Sequence, residues 1–264
     1  MSKTLVVKFG GHAITDDAGL FAAAIRQGLD KGLKVVVVHG GGPQINAALK
    51  SAGIESTFIG GFRVTTPETF EIVERVLSNE VGPEVASTLT KSGVAALAIS
   101  GRHSGTIFAK RQKTLVNGES ANLGLVGEVE KVDPTAIEVL LEKGVVPVIS
   151  PVANDLESNG GLNVNADIAA AAVAGALSAK ELIIMTDVPG IYRNWPDKDS
   201  LIDAICSEEL ESIKATFAEG MAPKVQACLD AIKAGATAVR IIDGTNPEAF
   251  AQALAHTGGT LVVA

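Results

Sequence analysis

At 264 residues, 47% hydrophobic and 20% charged, the chain is long enough to bury a large core as one α/β unit or two closely joined lobes. A formal net charge of −8 argues against nucleic acid as the main partner, yet leaves room for an anionic small molecule held by a few local cations. The start MSKTLVVKFGG lacks the regions of a signal peptide, and no run nears the ~18–20 apolar residues that cross a bilayer, so a cytoplasmic protein without a membrane partner is expected.

Short apolar runs alternate with helical patterns along almost the whole chain. LVVKF (5–9) reads as a buried strand, followed by a helix over 16–31 with Leu20, Phe21, Ala24, Ile25, Gly28 and Leu29 on one face and Gly32 as its stop. VVVVH (35–39) is the next strand, and a helix runs from Pro43 to near Gly53. After the glycine-rich IGGFRV (59–64), Thr65 and Glu68 form a capping box around Pro67, opening a helical region to about Ser92. AALAIS (95–100) is strand-like, residues 106–132 form hairpin strands around a loop, and Asp133-Pro134 caps a helix bearing Ile137, Leu140 and Leu141. VVPVIS (145–150) is another strand. An alanine-rich helix (166–178) precedes ELIIMTD (181–187), helices near 207–217 and 221–234, VRIID (239–243), a helix from Pro247 and a final strand TLVVA. Strands without polar alternation, separated by helices, indicate a mostly parallel sheet covered on both faces, with ligands bound beyond the strands' carboxyl ends. Cys206 and Cys228 form no C-x-x-C pair and read as reduced core thiols.

The informative residues follow strands. Gly40, Gly41 and Gly42 end a β-forming run, and Pro43 then suits a first helical turn. Glycines permit positive φ and leave no Cβ to block a ligand, so this junction offers free N–H groups to an anion, although a tight turn is the plainer reading. Lys8 interrupts the first apolar strand just before Gly10 and Gly11, either as a solvated edge lysine or as half of a second anion site. LNVNAD brings Asn163, Asn165 and Asp167 to one helix entrance, with Asn165 also a natural N-cap. Asp187 ends a strand before a Pro-Gly turn, where it serves a turn or a site. Lys224 lies in the first turns of a helix, where the dipole disfavours a cation and implies a partner elsewhere. Arg63 is an isolated cation in a β-like segment, open to a surface ion pair or to bidentate capture of a carboxylate. No P-loop, G-x-G-x-x-G after a strand, H-E-x-x-H or protein-kinase motif occurs. His12, His39, His103 and His256 lack metal-ligand spacing and read as incidental.

In this order and at these separations, KFGG, HGGGPQIN, FRVT, LNVNAD, TDVPG and MAPKV resemble the amino acid kinase family over essentially the whole chain, and most closely its members that phosphorylate N-acetyl-L-glutamate. The resemblance implies a three-layer αβα sandwich with a mostly parallel central sheet. Residues 1–176 would form an acceptor-binding and dimerising lobe, and 177–264 a lobe for ATP with Mg²⁺, with no protein ligand set for the metal. Lys8 and Lys224 would stabilise the transferring phosphoryl group and Asp167 would orient both. Gly10, Gly11, Gly41 and Gly42 would donate N–H groups to the phosphoryl group and the substrate. Arg63 and Asn163 would hold the acceptor, while Asp187, Phe217 and Met221 would line the nucleotide site. SGRHSGT (100–106), NEVGPEV (79–85) and the ending GTLVVA depart from the family pattern without touching these lysines or Asp167. Arginine-inhibited members resemble one another in an extra N-terminal helix, and its lack here implies a homodimer not regulated by arginine. A kinase for carrier-linked aminoadipate or glutamate, or a non-catalytic sensor, shares the fold.

Overall fold

Unbroken valine, isoleucine and leucine runs become strands buried on both faces, and the amphipathic segments between them cover the resulting sheet. The structure, a computed structural model, describes residues 3–10, 19–217, 221–246 and 248–264. Gly11, His12 and Pro247, and the predicted start of the first helix at 16, lie outside these residues.

In chain order the elements begin with β1 (Thr4–Phe9), α1 (Leu20–Asp30), β2 (Lys34–His39), α2 (Gly42–Ser51), β3 (Phe58–Ile59), β4 (Phe62–Arg63) and α3 (Pro67–Arg75). A π-helical stretch, Val76–Val81, links α3 to α4 (Gly82–Lys91), followed by β5 (Ala96–Ser100), β6 (Ile107–Arg111), β7 (Gly127–Val132), α5 (Thr135–Glu142) and β8 (Val146–Ser150). Then come β9 (Val152–Asp155), β10 (Gly161–Asn163), α6 (Ala166–Ala176), β11 (Glu181–Thr186), β12 (Ala204–Cys206) and α7 (Ser207–Ile213). The chain closes with α8 (Ala222–Lys233), β13 (Ala238–Asp243), α9 (Ala249–Leu254) and β14 (Thr260–Val263).

The eight-stranded sheet has the order β12-β14-β13-β11-β1-β2-β8-β5 and is parallel except between β13 and β14. A separate four-stranded sheet, β10-β9-β6-β7, and the β3-β4 hairpin sit beside it. The short strands β9 and β10 are not evident in the sequence pattern. Successive side chains of a strand face opposite layers, which decides the placement of the site. Val6, Val36 and Val38 join the core formed with α6 and α8. Leu5, Val7, Phe9, Val35 and Val37 join the opposite core, where Phe9 stacks on Phe21 at 4.2 Å. Lys8, in phase with Val6, therefore faces α6 and α8.

Three expectations need correction. Thr66, not Thr65, caps α3, its Oγ1 accepting from the Thr69 amide, because Thr65 is buried and bridged to Gly124. Leu20 is exposed, although Phe21, Ala24, Ile25 and Gly28 of the same helix are buried. Cys228 is a core thiol, but Cys206 is exposed at the end of edge strand β12. Among the described residues, no helix is long and apolar enough to cross a membrane.

Candidate active site

Strand β1 lies between β2 and β11, so its carboxyl end marks the point where the connections leave in opposite directions, the usual crevice of a doubly wound sheet. Lys8, one residue before that end, is 9% exposed. Its Nζ lies 3.0 Å from Asp167 Oδ1 and donates to the Met185 carbonyl at 3.2 Å. Lys224 Nζ lies 3.4 Å from Asp167 Oδ2. Both lysines thus meet on one buried carboxylate.

Local rules put each member there. Asn165 caps α6, its Oδ1 accepting from the amides of Asp167 at 2.8 Å and Ile168 at 3.3 Å. Asp167 consequently sits in the first turn, where the helix dipole favours an anion. Lys224, opposed by the dipole of α8, finds its compensating charge across the site. Burial alone would push the Asp167 carboxyl up, but Lys8 and Lys224 together outweigh it and hold the group below the usual carboxylate range. Asp167 Oδ1 accepts no well-directed hydrogen bond. The Lys8 ammonium has three N–H groups, and with one on Met185 it retains donors for a third oxygen.

The glycine junctions work by space rather than by left-handed backbone. None of Gly10, Gly41 and Gly42 has a positive φ in the region that favours glycine, which corrects that part of the sequence argument. A Cβ on Gly10 would lie 2.7 Å from Lys8 Nζ, and one on Gly41 would lie 2.7 Å from Leu77 Cδ2. A Cβ on Gly42 would meet nothing within 4 Å, so it would project into open space beside the site.

Two cavities share this junction. A smaller one, about 280 Å³, is lined by Lys8, Gly41, Gly42, Arg63, Asn163 and Asp167. Arg63 is buried rather than on the surface, its guanidinium 4.6 Å from the Phe58 ring and donating to Ser56 Oγ. Burial lowers its pKa from the usual arginine value, and among the described residues no carboxylate pairs with it. Asn163 Nδ2 donates to Thr65 Oγ1 at 3.2 Å. The larger cavity, about 910 Å³, is lined by Asp187, Tyr192, Trp195, Phe217, Met221 and Lys224. Asp187 is held low first by a hydrogen bond from Thr186 Oγ1 at 3.0 Å, with Lys224 and Lys8 contributing.

The structure brings together Lys8, Asp167 and Lys224, places Gly41, Gly42, Arg63 and Asn163 around one cavity, and places Asp187, Phe217 and Met221 around the other. Gly10 stands against Lys8, and Gly11 lies outside the described residues. Sequence reasoning missed Tyr192 and Trp195; His39, read there as incidental, lines neither cavity. That ring is fully buried, its Nδ1 lies 2.8 Å from the Gly40 carbonyl, and burial depresses its pKa to about 4.

The amino acid kinase family's model matches residues 3–243. An acetylglutamate kinase of Acidothermus cellulolyticus is 45% identical over 253 residues, covering 94% of this chain and 86% of that protein. An acetylglutamate kinase of Paenarthrobacter aurescens is 46% identical, covering 94% and 82%. Among solved structures, smu.665 from Streptococcus mutans superposes with a TM-score of 0.83 at 29% identity, covering 100% and 99%.

Proposed function

This chain belongs to the amino acid kinase family, and from that premise we propose that it transfers the γ-phosphoryl group of ATP to the side-chain carboxylate of N-acetyl-L-glutamate. The product is the acyl phosphate, N-acetyl-L-glutamyl 5-phosphate, a step toward arginine. The observation that carries the reading is the Lys8–Asp167–Lys224 cluster at the junction of a small, cation-lined cavity and a large one bearing aromatic side chains.

The chemistry suits that arrangement. A side-chain carboxylate with a pKa near ~4.3 is already ionised at neutral pH, so no general base is required. One carboxylate oxygen bonds to the γ-phosphorus, the bond from that phosphorus to the β-bridging oxygen breaks, and ADP leaves without a proton transfer. The barrier is repulsion between two anions. Lys8 from the acceptor side and Lys224 from the donor side offset it, while Asp167 holds both ammonium groups before substrates arrive. Gly10, Gly11, Gly41 and Gly42 supply amides that approach the oxygens closely. Arg63 grips the α-carboxylate and Asn163 the acetamido group. Asp187, Phe217 and Met221 line the nucleotide side. Residues 1–176 then serve the acceptor and 177–264 the donor.

Mg²⁺ fits as a companion of the triphosphate. The described residues contain no group of three or more His, Cys, Asp or Glu able to hold an ion, and Asp167 is occupied by two lysines. Asp187, facing the larger cavity, is the kind of single carboxylate that completes a phosphate-held Mg²⁺ shell. The ion would neutralise charge on the phosphate oxygens. A homodimer across the open edge of β5 is part of the same reading, since Leu97 there is 50% exposed and a free strand edge invites pairing. The reading includes a cytoplasmic location.

Purified protein should release ADP with free N-acetyl-L-glutamate and far less with glutamate, aspartate, aminoadipate or UMP. Lys8→Ala and Lys224→Ala should keep the fold by circular dichroism and each lose about 10²–10³ in kcat, the usual cost of one preorganised donor. Wild-type kinetics in both variants would remove the mechanism, and turnover confined to a carrier-linked acceptor would reassign the substrate.

A further inference from the structure

The rim of the larger cavity carries a side chain that neither the fold nor phosphoryl transfer explains. Trp195, the sole tryptophan of the sequence, is 64% exposed. Its recorded ring contact is with Tyr192, edge-on at 5.4 Å and 61°. Phe217 and Met221 on the same cavity also pack against the hydrophobic core, whereas Trp195 belongs to none of the core clusters. An indole buries more apolar surface than most side chains and is commonly held where a flat partner covers it.

The segment that presents Trp195 is tied down. The Asp197 amide donates to the Asn194 carbonyl at 2.8 Å, closing a turn around Trp195 and Pro196. The Arg193 amide donates to the Ser200 carbonyl at 2.8 Å, and the Asn194 amide to Ser200 Oγ at 3.1 Å. Arg193 Nη2 pairs with Glu209 Oε1 at 2.7 Å, anchoring the segment to α7. A flat aromatic is thus held in advance at the mouth of the cavity, the arrangement that lowers the ordering cost of binding.

Charge divides the same cavity. Two cations line it: Arg193, beside Trp195, is neutralised by Glu209, whereas Lys224 faces the catalytic carboxylate, so triphosphate oxygens belong near Lys224. The base must then occupy the part that carries aromatic surface. We propose that Trp195 is the platform on which the nucleobase of the phosphoryl donor stacks, with Tyr192 bracing it. This rests on the nucleotide reading of the cavity. Stacking uses the π-face that every base has, so recognition by Trp195 discriminates by stacking area, favouring purines over pyrimidines, rather than by hydrogen-bond pattern.

With a single tryptophan, indole fluorescence excited beyond the tyrosine band reports on this position alone. ATP, added without acceptor, should quench the emission saturably, and inorganic triphosphate, which offers no base, should bind without changing it. Trp195→Ala should raise KM for ATP about tenfold with a much smaller change in kcat and none in KM for the acceptor. Trp195→Phe should recover most of the loss. The ratio of KM for CTP to KM for ATP should shrink in Trp195→Ala, an effect that a merely structural role would not produce. ATP binding by calorimetry with a silent indole and an unchanged KM in Trp195→Ala would overturn the platform and leave the nucleotide site standing. Absence of ATP binding to the wild-type protein would overturn both.

Discussion

The two cavities that meet at Asp167 are built on different principles. The smaller is framed by secondary structure: the ends of β1 and β2, the start of α2, the β3-β4 hairpin and β10. The larger is framed mostly by connections, the 187–195 segment after β11 and Thr216, Phe217 and Met221 before α8. A pocket made from strand ends inherits the rigidity of the sheet, which suits the small, doubly charged acceptor proposed for it. A pocket made from loops is roomier, which suits the larger nucleotide proposed for it. Asp167 belongs to both sides, since it lines one cavity and pairs with a lysine of the other.

The most damaging way to break this comparison is therefore at the shared carboxylate. Asp167→Asn keeps the shape but leaves two ammonium groups without their counter-ion, so they no longer converge on one phosphoryl group. We expect kcat to fall about 10²–10³, while neither KM rises more than a few-fold, because the uncompensated lysines still attract anions. A rise in one KM alone would assign Asp167 to one cavity rather than to the junction. The folded carboxyl is held below its ordinary value, so its share of stability is present above the unfolded carboxylate pKa of ~3.9 and disappears as pH falls through the folded one. The stability difference between wild type and variant should accordingly vanish in strong acid.

A smaller effect, on stability alone, comes from His39. Its folded pKa of about 4 lies below the ordinary 6.5, since full burial disfavours the cation. Between those values the unfolded chain binds the extra proton, so the contribution is complete above about pH 6.5 and is lost progressively as pH falls toward 4. The whole window corresponds to about 3 kcal/mol at ~1.4 kcal/mol per pH unit. Urea melts of His39→Gln at a series of pH values should show a flatter slope there, whatever its stability at neutral pH. Parallel curves for the two proteins would mean that His39 is not the titrating group.

The asymmetry of the two cavities also explains what could be read from sequence. Lys8 stands out because a charged residue breaks a run of strand-forming ones, and its neighbours then fix which layer it faces. Gly41 and Asn165 are legible because strand-to-helix junctions obey local rules. The capping residue of α3 was displaced by one position because Thr65 is consumed by a bridge to Gly124, a partner 59 residues away that no local pattern discloses. Strands β9 and β10, with four and three residues, are too short to show a period. Trp195 was missed for the same physical reason: its place is set by hydrogen bonds to Ser200 within an aperiodic loop. The glycines were found for a partly mistaken reason, since none of the three described residues Gly10, Gly41 and Gly42 uses a left-handed φ.

That last point supplies the smallest and sharpest test. If glycine at the end of β2 were needed for backbone freedom, alanine would strain the fold at either Gly41 or Gly42. Gly41→Ala is ambiguous, because its methyl group would press on Leu77 Cδ2 at 2.7 Å and disturb packing as well as the site. Gly42→Ala is cleaner: apart from its chain neighbours, its methyl group meets no protein atom within 4 Å, and its one local cost is a Cβ beside Pro43 in the first helical turn. Stability should fall by no more than about 1 kcal/mol, while KM for the acceptor rises severalfold and KM for ATP does not. Unchanged acceptor kinetics would mean that no ligand approaches Gly42, and the small cavity would lose its claim to the acceptor at that wall.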